Sequence, residues 1–272
     1  MLMKIAFIIR IGYIMNKFTK ILTAGTFAFA SIAASASDIT VGGVTWDPDY
    51  QTISAKDFIG RADFTQWFST SGVSASGAPD INAVLPGTVG SMLQGAGEIG
   101  RFNGSTDFVC ATCELTFTFG GLVFDGDMSN DGSLFNLAAS KTSGYFNIYF
   151  DNTADFDPGN INSQADIDAS ADGSLFLSFG FESLKEGQGF TPDSGSLASS
   201  WNVTGGTAAG NFDSNSEFMG SDLGFVAFVD FQGNQYGTGS GTASGNSIPE
   251  PTTLAIFGLG LLGLAGAARR KA

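Results

Sequence analysis

Three aspartate-rich segments give this chain its best candidates for binding a metal ion. The carboxylates of interest in the first two segments are Asp125, Asp127, Asp131, Asp151, Asp155 and Asp157. A third segment runs from Asp166 to Gly173. Calcium takes about six to eight oxygen ligands, which closely spaced carboxylate, amide and hydroxyl groups on turns can supply. Because β-turns also use aspartate and glycine without any metal, the segments predict either calcium loops or ordinary turns.

The two cysteines, Cys110 and Cys113, are separated by two residues. Such a pair can be redox-active, bind zinc or form a disulfide. Zinc would require further cysteine or histidine ligands, and the sequence has no histidine and no third cysteine. The pair precedes a predicted strand, and not a helix start that would lower a thiol pKa. We therefore predict a structural disulfide that closes a short loop.

The composition restricts the kinds of catalysis open to the chain. Without histidine it cannot form a Ser-His-Asp or Cys-His nucleophile system. A carboxylate pair could still hydrolyse a glycosidic bond, and the available glutamates are Glu98, Glu114, Glu182, Glu186 and Glu217. No local pattern distinguishes any of them. We predict that the protein is not an enzyme, and keep a secreted glycoside hydrolase as the third hypothesis.

The charge of the chain restricts its partners. The formal charge is −14, and the body between Ser37 and Ser247 carries 25 acidic and five basic residues. Nucleic acid is excluded as a partner because its binding needs lysines and arginines against the phosphates. A body this acidic attracts divalent cations instead.

Aromatic side chains are the candidates for contact with sugars. Trp46, Trp67 and Trp201, together with several tyrosines, could stack on sugar rings. Trp46 follows an alternating segment, so we expect it to be buried. Trp201 lies in a polar stretch, so we expect it to be exposed.

Alternating strands must position these groups. Alternation of period two that is rich in phenylalanine predicts half-buried antiparallel strands. These strands are expected over Glu114–Phe119, Tyr145–Phe150, Ser174–Phe181 and Phe225–Phe231. The segment Asp57–Phe68 could form one short helix. Many short strands joined by Asp-Gly turns predict an all-β fold, a β-sandwich of jelly-roll-like topology over residues 37–232.

The two ends of the chain have other patterns. Lys17 and Lys20 precede an apolar run that ends in Ala34-Ser35-Ala36, which predicts a secretory signal peptide over residues 1–36. We expect Met15 to be the true start. At the other end, residues 233–247 are rich in glycine, serine and threonine and predict a flexible spacer.

A short apolar segment lies close to the C-terminus. Residues 252–268 are 17 in number, uncharged and followed by Arg269-Arg270-Lys271. This length is near the lower limit for a transmembrane helix, and the basic residues would remain on the cytoplasmic side. The segment predicts a membrane-spanning tail with the body outside the cytoplasm.

Pro249, Glu250 and Pro251 precede the apolar span, and the basic residues end it. In this order the three features of residues 248–272 resemble the PEP-CTERM sorting signal of Gram-negative bacteria. The resemblance implies recognition of these three residues by an exosortase, a membrane protease-transpeptidase. It implies transfer of the body from the inner membrane to the cell surface or the medium.

The function hypothesis follows from that resemblance. PEP-CTERM systems usually accompany exopolysaccharide production, so we expect an exported, non-catalytic protein of the cell surface or extracellular matrix of a biofilm. Exosortase would be its processing partner and exopolysaccharide a candidate ligand. The alternative hypothesis is a calcium-assisted carbohydrate-binding module.

Overall fold

The computed structural model describes residues 37–51, 56–74, 77–128, 136–138, 143–184 and 189–248. The predicted signal peptide (1–36), the apolar segment 252–268, Asp131, Glu186 and the residues Pro249, Glu250 and Pro251 lie outside these ranges. Within these ranges, no helix is both long enough and apolar enough to span a membrane.

Strands dominate the described part of the chain. They are β1 (Ile39–Val41), β2 (Val44–Trp46), β3 (Phe58–Ser69), β4 (Ala83–Val84), β5 (Met92–Phe102), β6 (Glu114–Val123), β7 (Tyr145–Asp151), β8 (Ser174–Leu184), β9 (Gly189–Phe190), β10 (Ser194–Gly205), β11 (Leu223–Asp230) and β12 (Tyr236–Gly245). The helical pieces are short: α1 (Gln164–Asp168), α2 (Ala209–Phe212) and a 3₁₀ turn (Phe218–Gly220).

Eight long strands form a closed antiparallel barrel. Their order around the ring is β3-β5-β6-β7-β8-β10-β11-β12, and β12 pairs with β3 again to close it. The all-β prediction is confirmed. The jelly-roll topology is wrong, because each long strand pairs with the next long strand along the chain. Strands that follow one another along the chain tend to lie side by side in a sheet, which favours this up-and-down order.

The barrel interior is filled by phenylalanine rings. Ring centroids lie between 5.0 and 6.4 Å apart among Phe64, Phe117, Phe119, Phe146 and Phe225. An eight-stranded barrel is just wide enough for side chains to fill it. Neighbouring strands supply glycines where the rings lie: Gly97 of β5 is in register with Phe117 of β6, and a Cβ on Gly97 would stand 2.3 Å from Cζ of Phe117. Large and small residues therefore complement each other across the interior.

The prediction of a flexible spacer over residues 233–247 is wrong, because most of this segment forms strand β12. This strand pairs with β11 along one edge and with β3 along the other. Gly237, Gly239, Gly241 and Gly245 alternate with serine and threonine and face the aromatic interior. The glycines are needed there because a Cβ on Gly239 would lie 2.7 Å from Cζ of Phe64.

Two smaller predictions are also wrong. The helix proposed for Asp57–Phe68 is strand β3, in which Phe58, Gly60, Ala62 and Phe64 alternate inward. Trp201 is 1% exposed, because β10 directs it inward and its Nε1 donates to Oγ of Ser199 at 2.8 Å. The prediction that Trp46 is buried is confirmed.

Candidate functional site

An open trough crosses the outer surface of the barrel over β11, β12, β3 and β5. It consists of two adjoining depressions of about 500 and 570 Å³. Both are lined by Asp63, Phe228 and Ser240, so they are continuous. The residues of this outer trough that the argument uses are Arg61, Asp63, Arg101, Val226, Phe228 and Ser240.

One side of the outer trough is apolar. Phe228 is 64% exposed and Val226 is 44% exposed. Both lie on β11, a strand in which buried and exposed residues alternate. Their neighbours Ala227 and Val229 face the core, so the alternation of the strand directs Val226 and Phe228 outward. The adjacent strand β12 adds the hydroxyl groups of Ser240 and Thr242. An aromatic ring beside hydroxyl groups is suited to the apolar face and the hydroxyls of a sugar.

The other side of the outer trough is cationic. Arg61 of β3 and Arg101 of β5 lie directly opposite each other in the register, and both are exposed. Within the described ranges, neither side chain forms an ion pair or a hydrogen bond. Like charges in directly opposed positions destabilise a sheet. Two free guanidinium groups can donate paired hydrogen bonds to a carboxylate or a sulfate.

Carboxylates lie beside the arginines. Asp63 of β3 pairs in register with Glu98 of β5. Burial raises the pKa of Glu98, and the charges of Asp63 and Asp157 raise it further. Of the two, Asp63 lines the trough, where it would accept hydrogen bonds from sugar hydroxyls.

A second apolar cluster includes residues of β3 and β5. Trp67 and Ile167 pack in this cluster outside the barrel, and Nε1 of Trp67 donates to the backbone oxygen of Asp80 at 2.8 Å. Helix α1 is held by a capping box between Ser163 and Asp166. The hydrogen bond from the Asn162 backbone is the main cause that lowers the pKa of Asp166. Asp166 of the third segment therefore stabilises the start of the helix that carries Ile167.

A group of three carboxylates lies at one end of the barrel. Glu114, Asp151 and Asp155 each place an oxygen within 4.8 Å of the others, and we call them the acidic cluster. Glu114 is 2% exposed, and burial raises its pKa to about 7. Burial and a hydrogen bond with Asp151 raise the pKa of the neighbouring Asp172 to about 6. Oxygen ligands at this spacing suit a hard cation such as calcium, and protons can neutralise the same charges.

The structure brings together only some of the predicted calcium ligands. Asp151 and Asp155 belong to the acidic cluster. Asp157 instead accepts from the backbone N–H of Gly159 at 2.9 Å. Asp125 accepts from the backbone N–H of Asp127 at 3.1 Å, and both residues are exposed. These are turn contacts of the kind that aspartates make in β-turns.

Glu114 was not predicted as part of a metal site. It is distant from Asp151 in the sequence, but the β6–β7 register places the two residues opposite each other. Both oxygens of Glu114 lie 3.3 Å from the backbone nitrogen of Phe156. The sequence did show a glutamate at the start of an alternating strand. That Asp151 is its neighbour could be known only from the pairing of β6 with β7.

The cysteines lie next to this cluster. Cys110 and Cys113 form a disulfide with a Cα–Cα distance of 5.0 Å, in the loop that leads into β6. The backbone N–H of Ala154 donates to the backbone oxygen of Thr112 at 2.9 Å. The disulfide loop is thereby attached to the segment that carries Asp155, so it helps to position the acidic cluster.

Two further glutamates considered for glycoside hydrolysis have structural contacts. Glu182 accepts from Nδ2 of Asn202 at 2.7 Å. Glu217 forms an ion pair with Lys56. These contacts explain the presence of both carboxylates without assigning them a catalytic role.

Comparison with known proteins identifies the C-terminal segment. The family model of the PEP-CTERM protein-sorting motif matches residues 247–271. No curated protein and no solved structure matches the chain. The resemblance inferred from Pro249, Glu250, Pro251 and the following residues is confirmed. The motif indicates a secreted, transiently membrane-anchored protein that exosortase processes.

Proposed function

We propose that this protein is a non-catalytic component of the cell surface or extracellular matrix, and that exosortase delivers it there. The observation that carries the proposal is the PEP-CTERM motif at residues 247–271, directly after the last strand of the barrel, which ends at Gly245. A complete barrel next to a removable tail is suited to release as a stable, folded body.

The barrel itself supports a binding role rather than catalysis. Its interior is occupied by aromatic rings, and its two described depressions with exposed aromatic and charged groups lie on the outside. An open trough can accommodate a long polymer, which extends beyond the site in both directions. Exopolysaccharide is therefore the partner that we assign to the outer trough.

Sorting can be tested by replacing Pro249, Glu250 and Pro251 with alanine and fractionating the cells. We expect the variant to accumulate in the inner membrane, whereas the wild-type body reaches the surface or the medium. A Val89→Ala variant is the matched control, because Val89 is exposed and lies far from the motif in the sequence. Unchanged delivery of the triple variant would contradict exosortase sorting.

A calcium-assisted carbohydrate-binding module is the second candidate. It is favoured by the outer trough together with the acidic cluster of Glu114, Asp151 and Asp155. The secreted protein would be titrated with a uronic acid polymer and with neutral dextran, with and without calcium. Binding that needs calcium and is weakened by Asp155→Asn would favour this candidate. Release of reducing sugar ends by the purified protein would instead support the glycoside hydrolase.

A further inference from the structure

The chain is held firmly up to the start of the sorting tail. The backbone N–H of Ser247 donates to Oδ1 of Asp57 at 2.6 Å, and that of Ile248 donates to the backbone oxygen of Asn211 at 2.6 Å. Oδ1 of Asn246 accepts from the backbone N–H of Asp57 at 3.2 Å. Ile248 therefore has a fixed position at the end of the barrel where β3 begins and β12 ends.

Little chain separates this fixed point from the apolar segment. Pro249, Glu250 and Pro251 are the only residues between Ile248 and Thr252. Four residue steps span at most about 14 Å when fully extended. The polar headgroup region on each side of a bilayer is about 5–8 Å thick. With the apolar segment in the membrane, this end of the barrel must lie at the headgroups or within a few ångströms of them.

An apolar loop projects beside the exit of the tail. Phe218 is 66% exposed and Met219 is 65% exposed. The loop is attached to the exit because Nδ2 of Asn246 donates to Oγ of Ser216 at 2.9 Å. Met219 has a φ of 62°, a left-handed conformation that is strained for a residue other than glycine. The fold thus holds two large apolar side chains in water at a conformational cost.

We propose that Phe218 and Met219 dock into the bilayer surface while the sorting tail is attached. The proposal rests on the proposed function in one respect, namely that the tail is in the membrane before cleavage. The contact is apolar, because a body with 25 acidic and five basic residues is repelled by anionic lipid. Docking orients the barrel and presents Pro249, Glu250 and Pro251 at the depth of a membrane protease. After the tail is cleaved, the loop is the one contact of this end with the bilayer that remains. Two apolar side chains do not hold the body there, so the body is released.

The native tryptophans make this docking measurable. Trp46, Trp67 and Trp201 are at most 2% exposed, so an added surface tryptophan is the one that lipid can reach. The full chain carrying Phe218→Trp is reconstituted into phosphatidylcholine vesicles with brominated acyl chains, which quench tryptophan on contact. The matched control carries Val89→Trp, because Val89 is 65% exposed and precedes β5 at the other end of the barrel. The two ends are separated by 12-residue strand β3, about 36 Å long if untilted.

We expect bromine to quench the Phe218→Trp protein at least twofold more than the Val89→Trp protein. The quenching should be unchanged in high salt and should decrease when Met219→Ser is added. Equal quenching of both variants, or none at position 218, would overturn the proposal. If position 218 is unquenched and a Phe218→Cys protein cross-links to a second copy, the loop binds that copy and the proposal is overturned.

Flotation of the same vesicles separates this proposal from the proposed function. If the protein does not float with the lipid, the membrane anchoring of the tail is wrong. If it floats and position 218 remains unquenched, the anchoring stands and only the docking is wrong.

Discussion

Replacing Gly239 with alanine tests whether β12 is a strand that must accommodate aromatic rings. A Cβ at this position would stand 2.5 Å from the backbone oxygen of Phe228 and 2.7 Å from Cζ of Phe64. Contacts this short force side chains or backbone to move, which costs about 1–3 kcal/mol in a packed core. In a flexible spacer the same substitution would be neutral or slightly stabilising, since alanine loses less entropy than glycine. The two readings therefore differ in the sign of the effect.

Thermal unfolding followed by circular dichroism measures this difference. For a body of this size, about 2 kcal/mol corresponds to a fall in Tm of roughly 4–8 °C. Gly100→Ala is the matched control, because a Cβ at Gly100 meets no atom within 4 Å, and it should leave Tm unchanged or raise it slightly. A Gly239→Ala protein as stable as the wild type would refute the packing argument.

A double-mutant cycle identifies the ring responsible. In a Phe64→Leu background the Cζ atom that faces Gly239 is gone, so Gly239→Ala should cost about 1 kcal/mol less than in the wild type. Equal costs in the two backgrounds would mean that the contact with Phe64 is not the cause.

Three further predictions concern the acidic cluster, the disulfide and the outer trough. The pKa of Glu114 is about 7 in the folded protein and 4.5 as its ordinary value, so its contribution to stability is fully present below about pH 4.5 and is lost as the pH rises through 7. Glu114→Gln should remove up to about 3 kcal/mol of this pH dependence. Urea titrations give the free energy of unfolding at pH 5 and pH 8. If its change between the two pH values is the same in the variant as in the wild type, the burial argument is wrong. Replacing Cys110 and Cys113 with serine should lower Tm by only a few degrees, because the disulfide closes a very short loop; a fall above 15 °C would mean that it holds more of the barrel than its loop. Arg61→Gln should weaken binding to a uronic acid polymer several-fold and leave dextran binding unchanged, and equal losses on both polymers, measured by calorimetry, would argue against charge recognition.

The sequence predicts the strands better than their arrangement. Period-two alternation identified β6, β7, β8 and β11, because residues with one face in a core must alternate in polarity. The same rule applies to β12, but there glycine takes the place of the inward apolar residue. A Gly/Ser/Thr tract has low hydropathy whether it is a spacer or a strand that faces bulky rings. The 26 phenylalanines and 38 glycines of the chain were the available sign that small residues would be needed opposite large ones.

The candidate sites depend on the register between paired strands, which cannot be predicted from the sequence of either strand alone. Arg61 and Arg101 become neighbours through the pairing of β3 with β5, and Glu114 and Asp151 through that of β6 with β7. Asp151 and Asp155 could be predicted as partners because they are close in the chain. Burial of Trp201 could not be predicted from its polar neighbours, since Ser199 and Ser200 are themselves buried.

Intact-mass and terminal-peptide spectrometry of the protein collected from the cell surface or medium tests the account most directly. Because the tail is removed from a complete barrel, the mature chain should end after Ile248 and before Thr252, with β12 whole. A mature chain that ends within β12, or one that still contains residues 252–268, would contradict it.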